Sequence, residues 1–199
     1  MQALALGFGL GFVVAIQIGP MSLWLVRSTL QAGLPVGLAI GAGIAVIDAG
    51  YAAAGAAGAA PLLTIGPLET LLGLIGAMVM AVLGARTLAT AFAPREAAAR
   101  DHVTSVRRAF VTSLGGTAAN PLTIASWAAV FAAAGAAGAH SPVMLVAGVG
   151  AGSLAWVGLL AAGTAAAGRA VGPRVIRAAD LLAGAGMLAF AGALAVHAF

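Results

Sequence analysis

The sequence contains no cysteine, no lysine and very little charge of either sign. Without cysteine there is no disulfide framework, no thiolate metal site and no cysteine nucleophile. Charged residues make up 7% of the 199 residues, whereas an average soluble domain is about a quarter charged. The nine arginines and five acids cannot cover the surface of a soluble protein of this length, and disorder requires a polar chain. The composition therefore excludes both a soluble single domain and a disordered chain.

Apolar residues are abundant instead: they make up 62% of the chain and give a mean hydropathy of +1.11. A bilayer core about 30 Å thick requires roughly 20 apolar residues per helix. Six runs have about this length, namely residues 4–26, 36–58, 68–85, 109–132, 142–167 and 176–199. No strand-like alternation is present, and the first run is not preceded by the basic residues of a cleavable signal peptide. We therefore expect an all-α integral membrane protein with six transmembrane helices in the lipid bilayer.

The arginines predict an orientation in the membrane, because all nine lie in alternate loops between the runs or, in the case of Arg177, at the edge of such a loop. They are Arg27, then Arg86, Arg95, Arg100, Arg107 and Arg108, and finally Arg169, Arg174 and Arg177. The positive-inside rule places these loops in the cytoplasm, so both termini are expected outside the inner membrane of a bacterium. The arginines lie at the ends of apolar runs and form no face on a polar domain, so the net charge of +4 does not indicate nucleic-acid binding.

The two halves of the sequence resemble each other, which predicts an internal repeat. Gly19-Pro20 corresponds to Asn120-Pro121, and Pro35 corresponds to Pro142 at a similar offset. We interpret residues 1–92 as the first three-helix repeat, 93–108 as a basic cytoplasmic loop and 109–199 as the second repeat. A unit of three spans is odd, so the copies would insert with opposite orientation, as in many secondary transporters. Chance matching between alanine- and glycine-rich helices is the alternative.

Two prolines lie inside apolar runs and predict broken helices. Pro20 and Pro121 have no N–H, so the carbonyls of Ile16 and Thr117 are expected to lose their helical partners. Because the two breaks occupy corresponding positions in the two halves, we expect them to meet near the midplane and to form a binding site with free backbone groups. Simple proline kinks are the alternative.

Asp48 is the only acid deep inside a run. Gly37, Gly41, Ile44 and Asp48 lie on one helical face, so the carboxyl is expected to face the bundle interior. An intramembrane acid is costly and is read as functional by default. It could carry a proton, hold a cationic amine or form a structural pair with an arginine, although no arginine is predicted at the same depth. Tyr51, one turn further on, is either a partner of Asp48 or an interface residue.

The remaining polar and aromatic residues receive structural interpretations. Arg27 is expected to end the first span and to reach the cytoplasmic surface, with a gating role as the alternative. Glu69 and Asp180 lie near span ends, where they are easily solvated. The tryptophans are interpreted as packing or membrane-interface residues: Trp24, Trp127 and Trp156. No metal-ligand spacing, nucleotide-binding loop or catalytic motif is present, so we expect no metal, no cofactor and no enzymatic activity.

Several segments resemble the LysE/RhtB family of amino-acid exporters. They are IGPMSL at 18–23, RSTL at 27–30, GAG at 41–43 with Asp48 and Tyr51, LGAR at 83–86 and NPLTI at 120–124. The resemblance covers nearly the whole chain and implies a six-span inner-membrane exporter of amino acids and related metabolites, driven by a proton gradient. Many relatives carry Pro-Gly-Pro or Gly-Ala-Gln near Gly19, where this chain has Ile-Gly-Pro, so the substrate is not indicated.

Together these patterns lead to the hypothesis of a proton-coupled amino-acid exporter. The expected substrate-binding residues are Gly19, Pro20, Ser22, Asn120, Pro121 and Thr123, with Asp48 and Tyr51 for proton coupling or amine binding. The expected partner is a small-molecule substrate, and a homo-oligomer is left open. Two alternatives remain at this point: a divalent metal-ion transporter of the same superfamily, which would require more hard ligands than one acid, and a membrane scaffold without transport.

Overall fold

The computed structural model describes the chain in several stretches. They are residues 1–17, 19–57, 74, 77, 78, 81–89, 92, 105–120, 123, 124, 126, 127, 141–168 and 173–197. Its principal helices are α1 (Gln2–Ile16), α2 (Pro20–Ala32), α3 (Leu34–Ala56), α4 (Val106–Ala118), α5 (Pro142–Gly168) and α6 (Pro173–His197). Residues 81–89 are also helical, and these stretches contain no strand. The predicted all-α class is therefore confirmed for the part of the chain that is described.

Within the described residues, two helices are long and apolar enough to cross a membrane by themselves, α3 with 23 residues and α5 with 27. The bent pair α1 and α2 qualifies as a third, broken span. The bounds of α3 and α5 lie within two residues of the predicted runs 36–58 and 142–167 at each end. Most of the predicted run 68–85 and Pro121 lie outside the described residues. The length and composition of these helices indicate a multi-pass membrane protein.

The first predicted span consists of two helices rather than one. α1 ends at Ile16, Gly19 is the extended N-cap of α2, and Pro20 occupies the first turn of α2. The helix axes differ by 77°. Proline favours this arrangement because it cannot donate to the preceding turn and disfavours helical angles in the residue before it. α2 also continues to Ala32, so Arg27 lies within a helix instead of ending a span at residue 26.

The backbones of α1 and α5 approach each other closely, because glycines line both sides of the interface. A Cβ atom on Gly7 or Gly11 would overlap the backbone of α5, and a Cβ atom on Gly148 or Gly152 would overlap the backbone of α1. Small residues at such interfaces allow membrane helices to approach closely. α3 packs on the same helix α5 and also on α4, and α2 packs on α6. The first part of the broken span and the α3–α5 pair thus form one continuous bundle.

A single residue joins α2 to α3. Gly33 is both the C-cap of α2 and the N-cap of α3, and its N–H donates to the carbonyl of Thr29 at 2.9 Å. Its φ of +87° lies in the left-handed region, which favours glycine because a Cβ atom is strained there. Leu34 follows directly in α3 with Pro35 in its first turn. The angle between the two helices is therefore set by one glycine.

Candidate functional site

Both helix breaks open on one cavity. Its lining residues come from α1, α2, α3, α4, α5 and the segment that follows α4. They are Val14, Ala15, Gln17, Gly19, Met21, Ser22, Ile44, Asp48, Thr117, Asn120, Thr123, Ser126 and Val157. Five of the predicted site residues are in this set, namely Gly19, Ser22, Asp48, Asn120 and Thr123. Pro20 is buried beside them.

The break in the first span presents the N-terminus of α2 to the cavity. The first helical bond of α2 runs from the N–H of Leu23 to the carbonyl of Gly19 at 3.1 Å. Helix geometry leaves the N–H groups of Met21 and Ser22 without acceptors inside the helix, and the helix dipole adds partial positive charge there. The Ser22 hydroxyl donates to the carbonyl of Gln17 at 3.4 Å. This end of the cavity is therefore suited to an anionic group.

The break in α4 is organised by Asn120. The N–H of Asn120 donates to the Thr117 carbonyl at 3.1 Å, and its own carbonyl accepts from the N–H of Ile124 at 3.1 Å. The Thr117 carbonyl has lost its i to i+4 helical partner, as expected, but it is not free, because the tighter i to i+3 bond from Asn120 replaces the helical one. The Thr117 side chain differs: its hydroxyl is buried and has no hydrogen-bond partner within the described stretches.

Asp48 lies on α3 at the inner wall of the cavity and is 2% exposed. Its Oδ1 accepts a hydrogen bond from the Trp127 indole N–H at 2.9 Å, and its Oδ2 accepts one from the Ser153 hydroxyl at 2.6 Å. Trp127 is fully buried, so the interpretation of this tryptophan as a packing or membrane-interface residue missed its polar contact. Both partners of the carboxylate are neutral donors, and neither is an arginine.

Tyr51 lies one turn beyond Asp48 and makes a contact between helices, which fits the alternative of an interface residue. Its hydroxyl donates to the carbonyl of Ala118 at 2.7 Å. Ala118 is the last residue of α4, so its carbonyl has no continuing helix to donate to it. Tyr51 therefore ties α3 to the end of α4 at the break, and it does not line the cavity with Asp48.

The structure adds two polar residues that the sequence analysis did not single out. The side-chain carbonyl of Gln17 accepts from the Ser126 hydroxyl at 2.8 Å, which bridges the two broken spans. Both residues line the cavity. The sequence does distinguish Gln17, because it is the only amide side chain in the run 4–26 and directly precedes Ile18-Gly19-Pro20.

Arg27 lies away from the cavity in a buried ion pair. Its Nε contacts Oδ1 of Asp180 at 2.7 Å, and the Gln31 side-chain amide donates to the same oxygen at 2.7 Å. Arg27 is 7% exposed and Asp180 is 5% exposed. The expectations that Arg27 reaches the membrane surface and that Asp180 is solvated are wrong, because α2 continues past residue 26 and packs against α6. The gating role of Arg27 stays a prediction.

The comparison with protein families identifies the chain. A family profile described as LysE type translocator matches residues 12–198, which include both breaks, Asp48 and the Arg27–Asp180 pair. The chain belongs to the LysE type translocator family. Comparisons with curated proteins and with solved structures gave no match. The family resemblance seen in the sequence is thus confirmed, and membership indicates membrane transport of small molecules.

The cavity between the two breaks is lined by a mixed set of polar groups. Within the described residues, no group of three or more histidine, cysteine, aspartate or glutamate side chains could hold a metal ion. The lining instead combines one carboxylate, a helix N-terminus, and hydroxyl and amide groups. Such a set can bind a small molecule that carries both a positive and a negative group.

Proposed function

We propose that this LysE-type translocator exports amino acids or related small metabolites by proton antiport, and that the cargo binds in the cavity between the two helix breaks. The observation that carries the proposal is the convergence of Gly19, Asn120 and Asp48 on this single cavity. Family membership supports small-molecule translocation. The cavity supports the more specific step, because it joins a carboxylate and a helix N-terminus in one space.

The charges of the cavity are complementary to those of a zwitterion. The N-terminal turn of α2, at Met21 and Ser22, offers backbone N–H groups and a positive dipole end to a carboxylate. Asp48 offers a carboxylate to an ammonium group, and its oxygens retain lone pairs beyond those used by Trp127 and Ser153. An amino acid would therefore orient with its carboxylate toward α2 and its amine toward α3.

The same acid accounts for coupling to protons. A carboxyl that holds either an ammonium group or a proton binds the two in competition, and such competition is the basis of exchange. The sequence contains no nucleotide-binding loop, so an ion gradient is the available energy source. We place the arginine-bearing loops in the cytoplasm and both termini outside the inner membrane. The six-span inverted repeat then supplies inward- and outward-facing states of similar energy.

The test is gradient-driven uptake into inside-out membrane vesicles that contain the full chain. Vesicles with an acidic lumen are incubated in an equimolar mixture of labelled standard amino acids, and the amino acids that accumulate in the lumen are identified. We expect accumulation that collapses when the pH gradient is dissipated. Asp48→Asn should remove the gradient-driven part of the accumulation, because an amide does not bind a proton near neutral pH. Asp101→Asn, in the predicted basic loop, is the matched control and should behave like the parent protein.

Each alternative outcome has a defined meaning. Accumulation of a divalent cation instead of any amino acid would replace the proposal with metal-ion transport. Equal rates and equal pH dependence for the parent protein and Asp48→Asn, at matched expression, would remove Asp48 from the mechanism. A non-transporting scaffold would show no accumulation at all, and Pro20→Ala and Pro121→Ala would then change stability alone.

A further inference from the structure

We infer that Trp127 and Ser153 are positioning residues for Asp48, and that Trp127 transmits the protonation state of this carboxyl to the broken helix that follows α4. The inference rests on the proposed role of Asp48 in proton coupling. The three side chains belong to different parts of the fold: Asp48 to α3, Ser153 to α5 and Trp127 to the helical residues after the break at Asn120. All three are at most 2% exposed.

The two donors respond differently to a proton on Asp48. A serine hydroxyl both donates and accepts, so Ser153 can donate to an ionised Oδ2 and can accept from a protonated one after a rotation of its hydroxyl. An indole N–H only donates. Its bond to Oδ1 is charge-assisted when Asp48 is ionised and becomes a weaker neutral bond when Asp48 is protonated. Ser153 therefore keeps a hydrogen bond to Asp48 in both states, whereas the hydrogen bond from Trp127 is weakened when Asp48 is protonated.

The position of Trp127 gives this difference a structural consequence. Trp127 lies seven residues after Asn120, beyond the break that ends α4. Thr123 and Ser126 of the same segment line the cavity. A change in the Trp127–Asp48 bond therefore acts on the segment that forms one wall of the cavity, which links proton binding to the shape of that wall.

Few other ionisable groups surround Asp48 in the described elements. The other ionisable side chain on α3 is Tyr51, whose hydroxyl donates to the carbonyl of Ala118. The ionisable side chain on α2 is Arg27, which is paired with Asp180 of α6. The described parts of α1 and α5 carry no ionisable side chain, and α4 carries only exposed arginines in its first turn, Arg107 and Arg108. Asp48 is thus the group on this cavity to which a pH response of Trp127 would be assigned.

The first test uses tryptophan emission and needs no cargo. In the full chain with Trp24→Phe and Trp156→Phe, Trp127 is the only remaining tryptophan. We expect its emission maximum to titrate with pH in detergent and the titration to disappear when Asp48→Asn is added. Emission that is independent of pH would overturn the inference, and so would a titration that persists in the Asp48→Asn background.

The second test uses transport and keeps the inference falsifiable if the emission variant does not fold. The uptake assay with the labelled amino-acid mixture is repeated over a range of pH for Trp127→Phe and Ser153→Ala. Loss of a donor to the carboxylate disfavours its ionised form, so the midpoint of the pH profile should move to higher pH by about one unit for Trp127→Phe. Ser153→Ala should move it in the same direction.

Matched controls separate positioning from packing. Trp156→Phe removes an indole that stacks edge-on against Phe12 at 5.6 Å, and Ser28→Ala removes a buried hydroxyl without a hydrogen-bond partner in the described part of the chain. Neither should move the midpoint. If Asp48→Asn abolishes the pH dependence while Trp127→Phe keeps the profile of Trp156→Phe, the inference fails and the proposed function stands. If Asp48→Asn leaves the pH dependence intact, the proposed role of Asp48 in proton coupling fails, and the inference that rests on it fails with it.

Discussion

The Arg27–Asp180 pair gives the sharpest stability prediction, because the sequence and the structure assign it opposite environments. Asp180→Asn keeps the size of the side chain and removes its charge. The substitution takes from Arg27 the carboxylate that its Nε contacts at 2.7 Å, and it alters the acceptor of Gln31. The side chains of Arg27 and Asp180 are 8% and 7% exposed, so water does little to replace the lost contact.

The magnitude follows from this burial. Removing one partner of a buried ion pair costs about 3–5 kcal/mol, because the other charge stays in a poorly solvated site. An ion pair exposed to solvent would contribute only about 0–1 kcal/mol. Replacing both partners at once, with Arg27→Met and Asp180→Leu, should cost less than Asp180→Asn alone, since no buried charge remains. The difference in unfolding free energy between these variants separates the cost of an unpaired buried charge from the cost of altered packing.

The free energy of unfolding can be measured by SDS titration of the full chain in mixed micelles, at low and at high ionic strength. We expect the loss for Asp180→Asn to persist at high salt, because screening acts mainly on exposed charges. Asp101→Asn, in the predicted basic loop, serves as the control and should change stability little. A loss below about 1 kcal/mol that disappears at high salt would refute the buried pair.

Two further predictions concern the helix contacts. Gly11→Ala places a Cβ atom against the backbone of Val149 and should destabilise the protein by about 1–3 kcal/mol in the same titration. Gly9→Ala on the same helix has no neighbour within 4 Å, so it should be neutral or slightly stabilising, and equal losses for both would contradict the α1–α5 contact. Tyr51→Phe removes the 2.7 Å bond to the Ala118 carbonyl and should cost about 1 kcal/mol. An unchanged unfolding free energy would show that this bond contributes nothing.

The breaks were predictable from the sequence because proline acts locally. Pro20 removes its own N–H and restricts the residue before it wherever the helix packs, so the end of α1 at Ile16 follows from two neighbouring residues. The helical class and the extents of α3 and α5 were equally accessible, since run length and apolar composition are properties of a single segment. Gly19 and Asn120 line one cavity, while the internal repeat that relates their positions stays a prediction.

The side-chain partners were not predictable, because they depend on how separate helices pack. Hydropathy ends the first span near Arg27, yet the helix α2 continues to Ala32 and carries Arg27 against α6. Nothing local to Asp180 indicates that an arginine 153 residues earlier reaches it. The same holds for Trp127, whose indole N–H finds Asp48 across 79 residues. Composition assigns such residues to surfaces or to packing by default.

The one-residue junction at Gly33 decides how the orientation of this protein can be mapped experimentally. A reporter domain or epitope inserted there would separate the last turn of α2 from the first turn of α3, and would replace the left-handed glycine that ends one helix and begins the next. Such a fusion would report on a disrupted protein. Single cysteines are the better probe, because the natural chain contains none, so each introduced thiol labels one site against an empty background.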